Sequence, residues 1–415
     1  MLIQAPKGTK DVTPYEAYQW HYVEDIMRRC AALNGYREVR TPVFEHTELF
    51  LRGVGDTTDV VQKEMYTFED KGGRSITLKP EGTAGAARAF LEHGMFNDVL
   101  PLKMFYFTPV FRYEKPQNGR LREHHQFGIE AFGAENATLD AEIIMLGYSV
   151  LSRCGLKGLA LHINSIGCPE CREQYNQALK TYFKDKKLCA TCQSRLERNP
   201  MRILDCKDPD CGRDAEHAPV ILDYICQDCR SHFETLQKLL AELKVDFTVD
   251  PRIVRGLDYY TKTVFEIIAP VDGGVLTVCG GGRYDGLVEQ LGGKKVCGMG
   301  FGMGIERLLM LLEQQQLMPE APQQYKVYVG AGTSEDEHIA AFAFTQKLRQ
   351  AGVRAECEHN GRSFKAQFKY ADRLGVDYTV MIGEQELASG KYGLKNMKDG
   401  TQEELAPEEI IDRLS

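Results

Sequence analysis

The residues best suited to chemistry lie in one stretch of the chain, 110–132, where charged and apolar side chains flank a polar loop. The pattern predicts two strands joined by the loop around Pro116 and Gly119. On the second strand Gln126 and Glu130 are four residues apart, so their side chains point to the same face of the sheet. The charged and amide side chains on which we base this interpretation are Arg112, Glu114, Arg120, Arg122, Gln126 and Glu130. We expect it to bind a polyanion at one end and a small polar molecule at the other, with a solvated hairpin as the alternative.

A turn of small residues offers a second candidate binding site. A strand predicted over Ser75–Leu78 leads through Lys79–Gly85 into a helix predicted over Ala84–Glu92. Small residues let backbone amides approach a ligand, and Gly82 or Thr83 can open the helix. The alternative is an ordinary strand-to-helix turn.

Two arginines in glycine-rich surroundings extend the set. Arg255 begins the sequence RGLDYY, and three glycines precede the pair Arg283–Tyr284. These glycines indicate backbone that lies close to a ligand, or a plain glycine turn. Arg307 falls in the first turn of a helix predicted over Gly304–Gln316, where its charge and the free amide groups of the helix suit a phosphate.

A cysteine-rich stretch, from about residue 168 to 243, is predicted to be largely helical and basic, and it separates two β-rich stretches like an inserted domain. Its cysteines form four pairs: Cys168/Cys171, Cys189/Cys192, Cys206/Cys211 and Cys226/Cys229. This is the spacing of tetrahedral zinc sites, so two pairs could make one site and four could make two. Cysteines that merely pack helix ends are the alternative. A redox role is disfavoured because no thioredoxin-like βαβ pattern surrounds the pairs.

Length and composition limit the number of domains, the location and the kinds of partner that the chain allows. Its 415 residues predict two or three domains, and a hydrophobic content of 43% is ample for their cores. A net charge of −8 argues against a blanket nucleic-acid binder but permits local basic patches. No apolar run approaches the roughly 18 residues of a membrane helix, and the first residues lack the apolar core of a signal peptide. We therefore expect a cytoplasmic protein whose thirteen cysteines are reduced thiols or metal ligands.

The elements that must position these residues begin with a helix. Thr13–Glu16 is typical of a capping box with proline in the first helical position, and the helix is predicted to run to about Leu33. A strand is predicted over Arg37–Phe44, with Pro42 inside it. Proline removes a hydrogen-bond donor, so Pro42 should lie at a sheet edge or at an interface between subunits.

The last part of the chain changes to alternating strands and helices after a polar linker with two prolines. The pattern predicts a small α/β domain with strands over Lys326–Gly330, Val353–Glu356, Tyr378–Ile382 and Lys391–Met397 and helices over about Glu335–Ala351 and Ser363–Leu374. Five basic residues give it a side that could bind RNA or simply be solvated: Arg354, Arg362, Lys365, Lys369 and Arg373.

Four motifs in order resemble class II aminoacyl-tRNA synthetases: the helix and strand with Pro42, FRYEKPQ…HQFGIE, RGLDYY and GFGMGIERL. RGLDYY and GGGRYDGL are similar to the motifs of the histidyl-tRNA synthetase family within that class, and NGRSFKAQFKYADRLG looks like that family's anticodon-binding domain. The resemblance implies an α+β fold, with an antiparallel sheet core flanked by helices, a helical insertion and a C-terminal α/β domain that binds the anticodon. We expect a catalytic core in two parts, an insertion, a linker and an anticodon-binding domain, with boundaries at 1–167, 168–243, 244–318, 319–325 and 326–415.

The resemblance also implies the reaction, an ATP-dependent ligation of L-histidine to its tRNA through a histidyl-adenylate, with Mg²⁺ bound to the ATP. Arg112 matches the arginine that holds the α-phosphate, and Glu114 should lie near the adenine. Arg307 matches the arginine that meets the polyphosphate and adenine. Arg255 matches an arginine at the substrate carboxylate and α-phosphate, where it resembles a substitute for a metal ion, and we expect it to be the main electrophilic catalyst.

The remaining implied roles concern histidine and tRNA. Seven residues match the family's histidine pocket: Glu81, Thr83 and Gln126 around the amino group, Glu130 and Tyr260 beside the ring, and Tyr259 and Tyr284 along the wall. Gln117 and Arg120 should meet the acceptor end of the tRNA, while the insertion clasps the acceptor stem and the last domain reads the anticodon. A homodimer is implied. Lys79 and Lys115 stand where arginine is usual, and a lysine lacks the two-pronged guanidinium, so neither is predicted to be catalytic.

Three other interpretations compete with the ligase. An inactive paralogue, such as the regulatory subunit of the first enzyme in histidine biosynthesis, typically lacks the anticodon domain and has eroded motifs. A tRNA-sensing domain of the kind attached to stress kinases would come with kinase motifs, which this chain lacks. A zinc-based nucleic-acid-binding module leaves the other motifs unexplained. The retained Arg112, Arg255 and Arg307 favour the ligase.

Overall fold

The computed structural model describes residues 2–55, 58–117, 119–206, 208–253 and 255–415 of the chain. The chain divides into two units, Met1–Pro319 and Glu320–Ser415. Asn118, in the loop predicted to meet the tRNA acceptor end, lies outside the described residues.

The described residues of the first unit form eleven strands: β1 (Arg37–Glu38), β2 (Phe44–His46), β3 (Tyr66–Glu69), β4 (Ser75–Leu78), β5 (Leu102–Phe111), β6 (Glu123–Phe132), β7 (Ala160–Ser165), β8 (Phe247–Val249), β9 (Thr261–Val271), β10 (Gly274–Arg283) and β11 (Gly298–Gly304). Eight of them form one sheet in the order β1-β5-β6-β11-β10-β9-β7-β8. The pairs at its two ends, β1 with β5 and β7 with β8, are parallel, and the central pairs are antiparallel. A small antiparallel sheet has the order β2-β4-β3.

Ten α-helices accompany these strands in the part of the unit that the structure describes: α1 (Ala17–Leu33), α2 (Thr47–Gly53), α3 (Thr83–Glu92), α4 (Ala137–Arg153), α5 (Pro169–Phe183), α6 (Ala190–Arg198), α7 (Pro209–Ala215), α8 (Gln227–Glu242), α9 (Leu287–Gln290) and α10 (Ile305–Gln314). Helices α1, α4, α8 and α10 bury apolar residues in one large core against the eight-stranded sheet. The described residues of the cysteine-rich stretch are largely helical, from α5 through α8, as predicted. No helix in the described part of the chain is long and apolar enough to cross a membrane.

Strand β6 shows how the sheet separates core from site. Phe127, Ile129 and Ala131 belong to the large apolar core. Because successive side chains of a strand point to opposite faces, Gln126 and Glu130 point away from that core. The predicted shared face of these two side chains is therefore the face that is free to hold a ligand.

The second unit contains β12 (Val327–Ala331), α11 (Glu335–Gln350), β13 (Ala355–Cys357), α12 (Phe364–Leu374), β14 (Tyr378–Ile382), α13 (Glu384–Ser389), β15 (Tyr392–Asn396), β16 (Gln402–Leu405) and α14 (Pro407–Leu414). Its sheet has the order β13-β12-β14-β15-β16, with the first three strands parallel and the last two pairings antiparallel. The predicted strands and helices are present. Helices α13 and α14 and strand β16 were not predicted from the sequence.

Two local predictions are wrong. The strand predicted over Arg37–Phe44 is two short strands in different sheets, because Pro42 has no amide hydrogen to continue a ladder. Helix α1 begins at Ala17 and not at Pro14, because Thr13–Glu16 forms a turn in which the Thr13 hydroxyl donates to Glu16 over 3.1 Å. The three glycines of 280–282 lie inside β10, which excludes the alternative of a plain glycine turn.

Candidate active site

Glu81 is built into the start of helix α3. Its two carboxylate oxygens accept the backbone amides of Thr83 and Ala84, each over 2.7 Å, and so replace a conventional cap. The hydroxyl of Tyr259 donates to the same carboxylate over 3.3 Å. Burial raises the pKa of Glu81, which is 2% exposed. The result is a fixed, buried acidic group where the histidine pocket is expected.

Glu130 lies beside it as a second buried acid. Its carboxyl group accepts hydrogen bonds from the hydroxyls of Thr83 (2.7 Å), Tyr106 (2.9 Å) and Tyr284. Burial raises the pKa of Glu130 to about 8, although these hydrogen bonds act in the opposite direction. A cationic or N–H-bearing ligand that approached this carboxyl would stabilise its ionised form.

Three tyrosines line this expected pocket: Tyr259, Tyr260 and Tyr284. The rings of Tyr259 and Tyr260 have centroids 4.7 Å apart, and the ring of Tyr284 lies 5.7 Å from Tyr259 in an edge-to-face arrangement. All three are buried, and burial raises the pKa of each phenol, so they are neutral hydrogen-bonding groups at neutral pH. This combination of flat apolar surface and phenol groups suits a small polar ring.

Alternating glycines on β11 keep the space for these side chains. An added Cβ at Gly298 would lie 2.2 Å from the Tyr284 ring, at Gly300 2.1 Å from the Glu130 carboxylate, and at Gly302 1.9 Å from Gln126 Nε2. Gln126 in turn accepts the backbone amide of Gly82 over 3.2 Å. The glycines therefore do not mark flexibility, since they define the shape of the pocket floor.

Arg255 is the next charged group along the site. Its Nη1 lies 2.5 Å from the carboxylate of Glu266, which also accepts the Thr277 hydroxyl over 2.9 Å. The buried Nε of Arg255 has no hydrogen-bond partner among the described residues. An unpaired buried donor is costly, so this N–H is a group that an anionic ligand would satisfy.

Arg112 and Arg307 join Arg255 around a cavity of about 300 Å³. Arg307 donates to the carbonyls of Gly119 (2.9 Å) and Thr277 (3.0 Å), and Arg112 donates to the Pro80 carbonyl (2.8 Å). These bonds to neutral carbonyls fix the two guanidinium groups, while the carboxylates of Glu114 and Glu266 also line the cavity. Three arginines around one cavity make a site for a polyanion such as a nucleotide triphosphate.

His124 lines the same cavity. Burial lowers its pKa to about 3, and the neighbouring Arg112 and Arg307 add to the effect. The imidazole is therefore neutral at physiological pH and does not compete with a bound anion for the arginines.

The rim of the cavity is formed by the loop between β5 and β6. Gln117 and Arg120 exchange backbone hydrogen bonds of 3.2 and 2.8 Å, and the half-exposed Arg120 guanidinium lies 3.2 Å from Glu114. Arg122 instead stacks over Tyr113 at 3.9 Å, so it supports the loop. Arg120 is thus free to swing toward a ligand at a modest cost, because exposed ion pairs are weak.

Six of the predicted residues line the cavity: Arg112, Glu114, Arg120, Gln126, Arg255 and Arg307. The other predicted histidine residues contact one another in a buried cluster of Glu81, Thr83, Glu130, Tyr259, Tyr260 and Tyr284, which Gln126 joins to the cavity through its bond to the Gly82 amide. Gln117 lies in the loop at the rim. The sequence reasoning did not find Tyr106, His124 or Glu266. Tyr106 lies directly opposite Gly128 across β5 and β6, and an added Cβ on that glycine would lie 2.1 Å from its ring. The alternating glycines of GMGFGMG were the signal in the sequence that side chains from neighbouring strands fill this face.

The cysteines meet in two groups of four, Cys168/Cys171/Cys226/Cys229 and Cys189/Cys192/Cys206/Cys211, and within each group the sulfur atoms lie within 4.8 Å of one another. The sulfur atom of Cys171 lies 3.5 Å from that of Cys168 and 4.0 Å from that of Cys229, and the sulfur atoms of Cys189 and Cys206 lie 3.9 Å apart. Four sulfurs at about 2.3 Å from a zinc ion would lie about 3.8 Å apart, so the arrangement fits this metal. The backbone amides of Cys226 and Cys189 donate to sulfur atoms of their own groups, over 3.0 and 3.2 Å, and would orient thiolate ligands.

Comparison with known proteins gives consistent matches along the chain. A family model described as "Histidyl-tRNA synthetase" matches residues 8–308, and one described as "Anticodon binding domain" matches residues 326–415. A histidine–tRNA ligase of Clostridium novyi is 55% identical over 408 residues, which cover 98% of this chain and 97% of the relative. That of Caldanaerobacter subterraneus is 55% identical over 415 residues, which cover 99% of each chain.

Solved structures agree with this assignment. The crystal structure of the apo histidyl-tRNA synthetase of S. aureus is 38% identical to this chain, with a TM-score of 0.85 and complete coverage of both chains. The resemblance inferred from the motifs is confirmed, together with the α+β class II fold. The order of the motifs, the sheet that carries them and the matches over both units agree that the chain belongs to the histidyl-tRNA synthetase family.

Proposed function

We propose that this protein activates L-histidine with ATP and transfers it to tRNA, and that the predicted site residues carry out both steps. The observation that supports this most directly is the convergence of Arg112, Arg255 and Arg307 on one cavity beside the pocket of Glu130. One part of the site suits a polyphosphate, and the other suits a small molecule with hydrogen-bonding nitrogens.

In the first step the histidine carboxylate attacks the α-phosphorus of ATP, which enters as its Mg²⁺ complex, and pyrophosphate leaves. Negative charge grows on the phosphate oxygens, and cations that are already fixed in place stabilise it without reorganisation. Arg112 and Arg255 take this role at the α-phosphate. Arg307 holds the remaining phosphates and the adenine, with Glu114 near the base.

The histidine pocket works through its buried acids. Glu81, Thr83 and Gln126 receive the ammonium group, and Glu130 and Tyr260 take the imidazole nitrogens, with Tyr259 and Tyr284 along the ring. Buried polar groups of this kind reject an isostere that lacks the nitrogens, because Glu130 and its hydroxyl partners would lose their ligand without access to water.

In the second step a terminal hydroxyl of the tRNA attacks the carbonyl carbon of the adenylate, and AMP leaves. Gln117 and Arg120 meet the acceptor end, because their loop forms the rim of the cavity. The helical stretch 168–243 holds the acceptor stem. The second unit reads the anticodon through its basic residues.

A homodimer is the proposed assembly, formed on the side of Pro42. A hollow of about 1210 Å³ lies there, lined by residues that include Val39, Pro42, Leu49 and Leu91. Next to it the side chain of Phe44 is 55% exposed. A second copy would cover these apolar groups, and light scattering coupled to size-exclusion chromatography tests this by mass.

Each four-cysteine group is proposed to bind one zinc ion with a structural role, as their sulfur separations support. All thirteen cysteines are free thiols in this structure. Free thiols in that number support a reducing compartment, the cytoplasm, as the location of the protein.

The test of the function is ATP–pyrophosphate exchange with each of the twenty amino acids, on the wild type and on Arg255→Ala. We expect exchange with histidine alone and a loss of about a hundredfold or more in the variant, since a donor aimed at the developing charge is removed. Arg252→Ala removes an exposed arginine three residues away and should behave like the wild type. A folded wild type that binds histidine but exchanges with no amino acid would contradict the ligase and favour the inactive paralogue.

A further inference from the structure

The second cysteine group encloses a segment that reaches the active site. Between its ligands Cys192 and Cys206 lie most of α6 and a 3-10 turn, Pro200–Asp205. Three polar side chains of this segment point to the catalytic part of the chain: Arg195, Asn199 and Arg202. A metal at this group would therefore join the two ends of the segment 192–206, and the middle of this segment contacts the loop that contains Arg255.

The contacts themselves are specific. Arg195 Nη2 lies 2.7 Å from Asp59 Oδ2, and Asn199 Nδ2 donates to Asp258 over 3.0 Å. Arg202, which is 8% exposed, donates through Nη1 to the backbone carbonyl of Arg255 over 2.9 Å. Arg202 thus holds the main chain of the residue whose guanidinium is aimed at the substrate.

Apart from these polar contacts, α6 has little apolar packing, since Leu196 is only partly buried against the core. The helix has nine residues, too few for stability without packing, and the only buried residue it contains is Cys192, a member of the metal group. A metal that joins four sulfurs supplies the constraint that an apolar face would otherwise supply. The 3-10 turn that follows buries Met201, Arg202 and Ile203, so fixing α6 also fixes the position of Arg202.

The first group has different surroundings. Cys168 and Cys171 lie at the start of α5, and Cys226 and Cys229 lie at the start of α8. A metal there joins the beginning and the end of the helical stretch next to β7 and β9, where the Ile166 amide donates to Lys262 over 2.8 Å. Arg172 of α5 also reaches the loop of Arg255, because it donates to the Asp258 carbonyl over 3.2 Å. The contact to Arg255 itself comes from Arg202 of the second group, so the first group would mainly stabilise the attachment of the stretch.

We propose that the zinc bound by Cys189, Cys192, Cys206 and Cys211 positions the catalytic loop, because it holds Arg202 against the carbonyl of Arg255. The inference rests on the proposed zinc sites and on the proposed role of Arg255. Arg202 is a positioning residue, since it acts through the main chain of Arg255 and does not touch the substrate.

The test combines metal content with exchange kinetics on the full chain. Wild type should carry two zinc ions per chain, and Cys206→Ser should carry one. Cys206→Ser should lower the kcat of histidine-dependent exchange about tenfold, with a much smaller change in the KM for ATP, because a transition-state interaction is displaced. Arg202→Ala should retain both zinc ions and show the same loss of kcat, whereas Arg202→Lys, which keeps a donor, should recover part of it.

A double variant decides whether the two changes act by one route. Cys206→Ser combined with Arg202→Ala should be no slower than either single variant, because residues coupled in one network are not additive. Two controls accompany it. Arg213→Ala removes an exposed arginine of α7 that pairs only with exposed Asp210, and it should leave kcat at the wild-type value. Cys226→Ser removes the first zinc and should lower Tm while most of kcat remains.

Each contrary result has a distinct meaning. Full activity in a Cys206→Ser protein that has lost one zinc would overturn the positioning role and leave the zinc sites intact. Equal losses of kcat in Cys206→Ser and Cys226→Ser would also overturn it, because the effect would then be general destabilisation. A wild type purified under reducing conditions with no zinc would overturn the zinc sites, and an inactive wild type would count against the proposed function itself.

Discussion

Glu130 is the residue on which histidine recognition should depend most. It is fully buried, and the hydroxyls of Thr83, Tyr106 and Tyr284 hold its carboxyl group in one orientation. Glu130→Gln keeps the shape but removes the charge that a ligand N–H would meet. We expect the KM for histidine in pyrophosphate exchange to rise about tenfold or more, with the KM for ATP little changed, because charge-assisted hydrogen bonds are about twice as strong as neutral ones.

The exposed Glu69→Gln, on β3 outside the site, is the control and should leave both constants unchanged. If the KM for histidine were unaltered in Glu130→Gln, another residue would have to recognise the ring. A rise in both KM values would instead indicate a disturbed fold.

The same residue predicts how stability depends on pH in the ligand-free protein. Burial raises the pKa of Glu130 from an ordinary 4.5 to about 8, so the folded state binds more protons than the unfolded state between these values. The stabilisation is complete below the unfolded pKa and is lost as the pH rises through the folded one. The amide side chain that replaces Glu130 in the variant cannot titrate. As the pH rises through this window, the free energy of unfolding of Glu130→Gln should therefore increase relative to that of the wild type, by up to about 1.4 kcal/mol for each pH unit.

Urea unfolding of both proteins at several pH values between 5 and 8 measures this difference. Curves of unfolding free energy that stay parallel across the window would show that Glu130 is ionised throughout. In that case the binding of histidine would not need to release a proton from Glu130.

At the scale of elements, the glycine face of β11 makes the sharpest prediction. An added methyl at Gly302 would lie 1.9 Å from Gln126 Nε2, which is the end of a side chain and can be displaced. Gly302→Ala should therefore fold and melt near the wild type but lose about tenfold or more in kcat/KM for histidine, because Gln126 would be driven into the ligand space. Gly274→Ala on β10 is the matched control, since an added Cβ there meets nothing within 4 Å.

An equal loss of Tm in the two glycine variants, with activity unchanged in Gly302→Ala, would mean that the glycines serve sheet pairing alone. The distinction is measurable because Gly302 and Gly274 lie on neighbouring strands of the same sheet.

The sequence predicted elements well where local chemistry decides them. Strands Ser75–Leu78 and Tyr378–Ile382 have the predicted bounds, because turn residues or charged residues close to each end stop the apolar pattern. The sequence did not predict site residues whose positions depend on partners that are distant along the chain. Tyr106 reaches the site only because Gly128 lies opposite it, and no local pattern gives that register. Glu266 likewise became visible as the partner of Arg255 only when β9 was placed in the sheet.

At the scale of the molecule, we propose that the first unit carries out both chemical steps and that the second unit adds affinity for tRNA. The arginine cavity and the histidine pocket lie wholly within residues 1–319, and the second unit has a hydrophobic core of its own. A protein that ends at Pro319 should therefore keep histidine-dependent pyrophosphate exchange within about threefold of the full chain while it loses most tRNA charging, because phosphate contacts and anticodon contacts supply much of the affinity for tRNA.

A full-length control separates the loss of tRNA contacts from the loss of a unit. On α12, Lys365, Lys369 and Arg373 recur every fourth residue and are all exposed, so they form one cationic stripe. Lys365→Glu with Lys369→Glu should leave exchange unchanged and raise the KM for tRNA, more strongly at low salt than at high salt, because the stripe acts through charge. If the truncated protein stopped exchanging histidine while the charge-reversed chain continued, the first unit would need the second for its own stability, and the division of labour between the units would not hold.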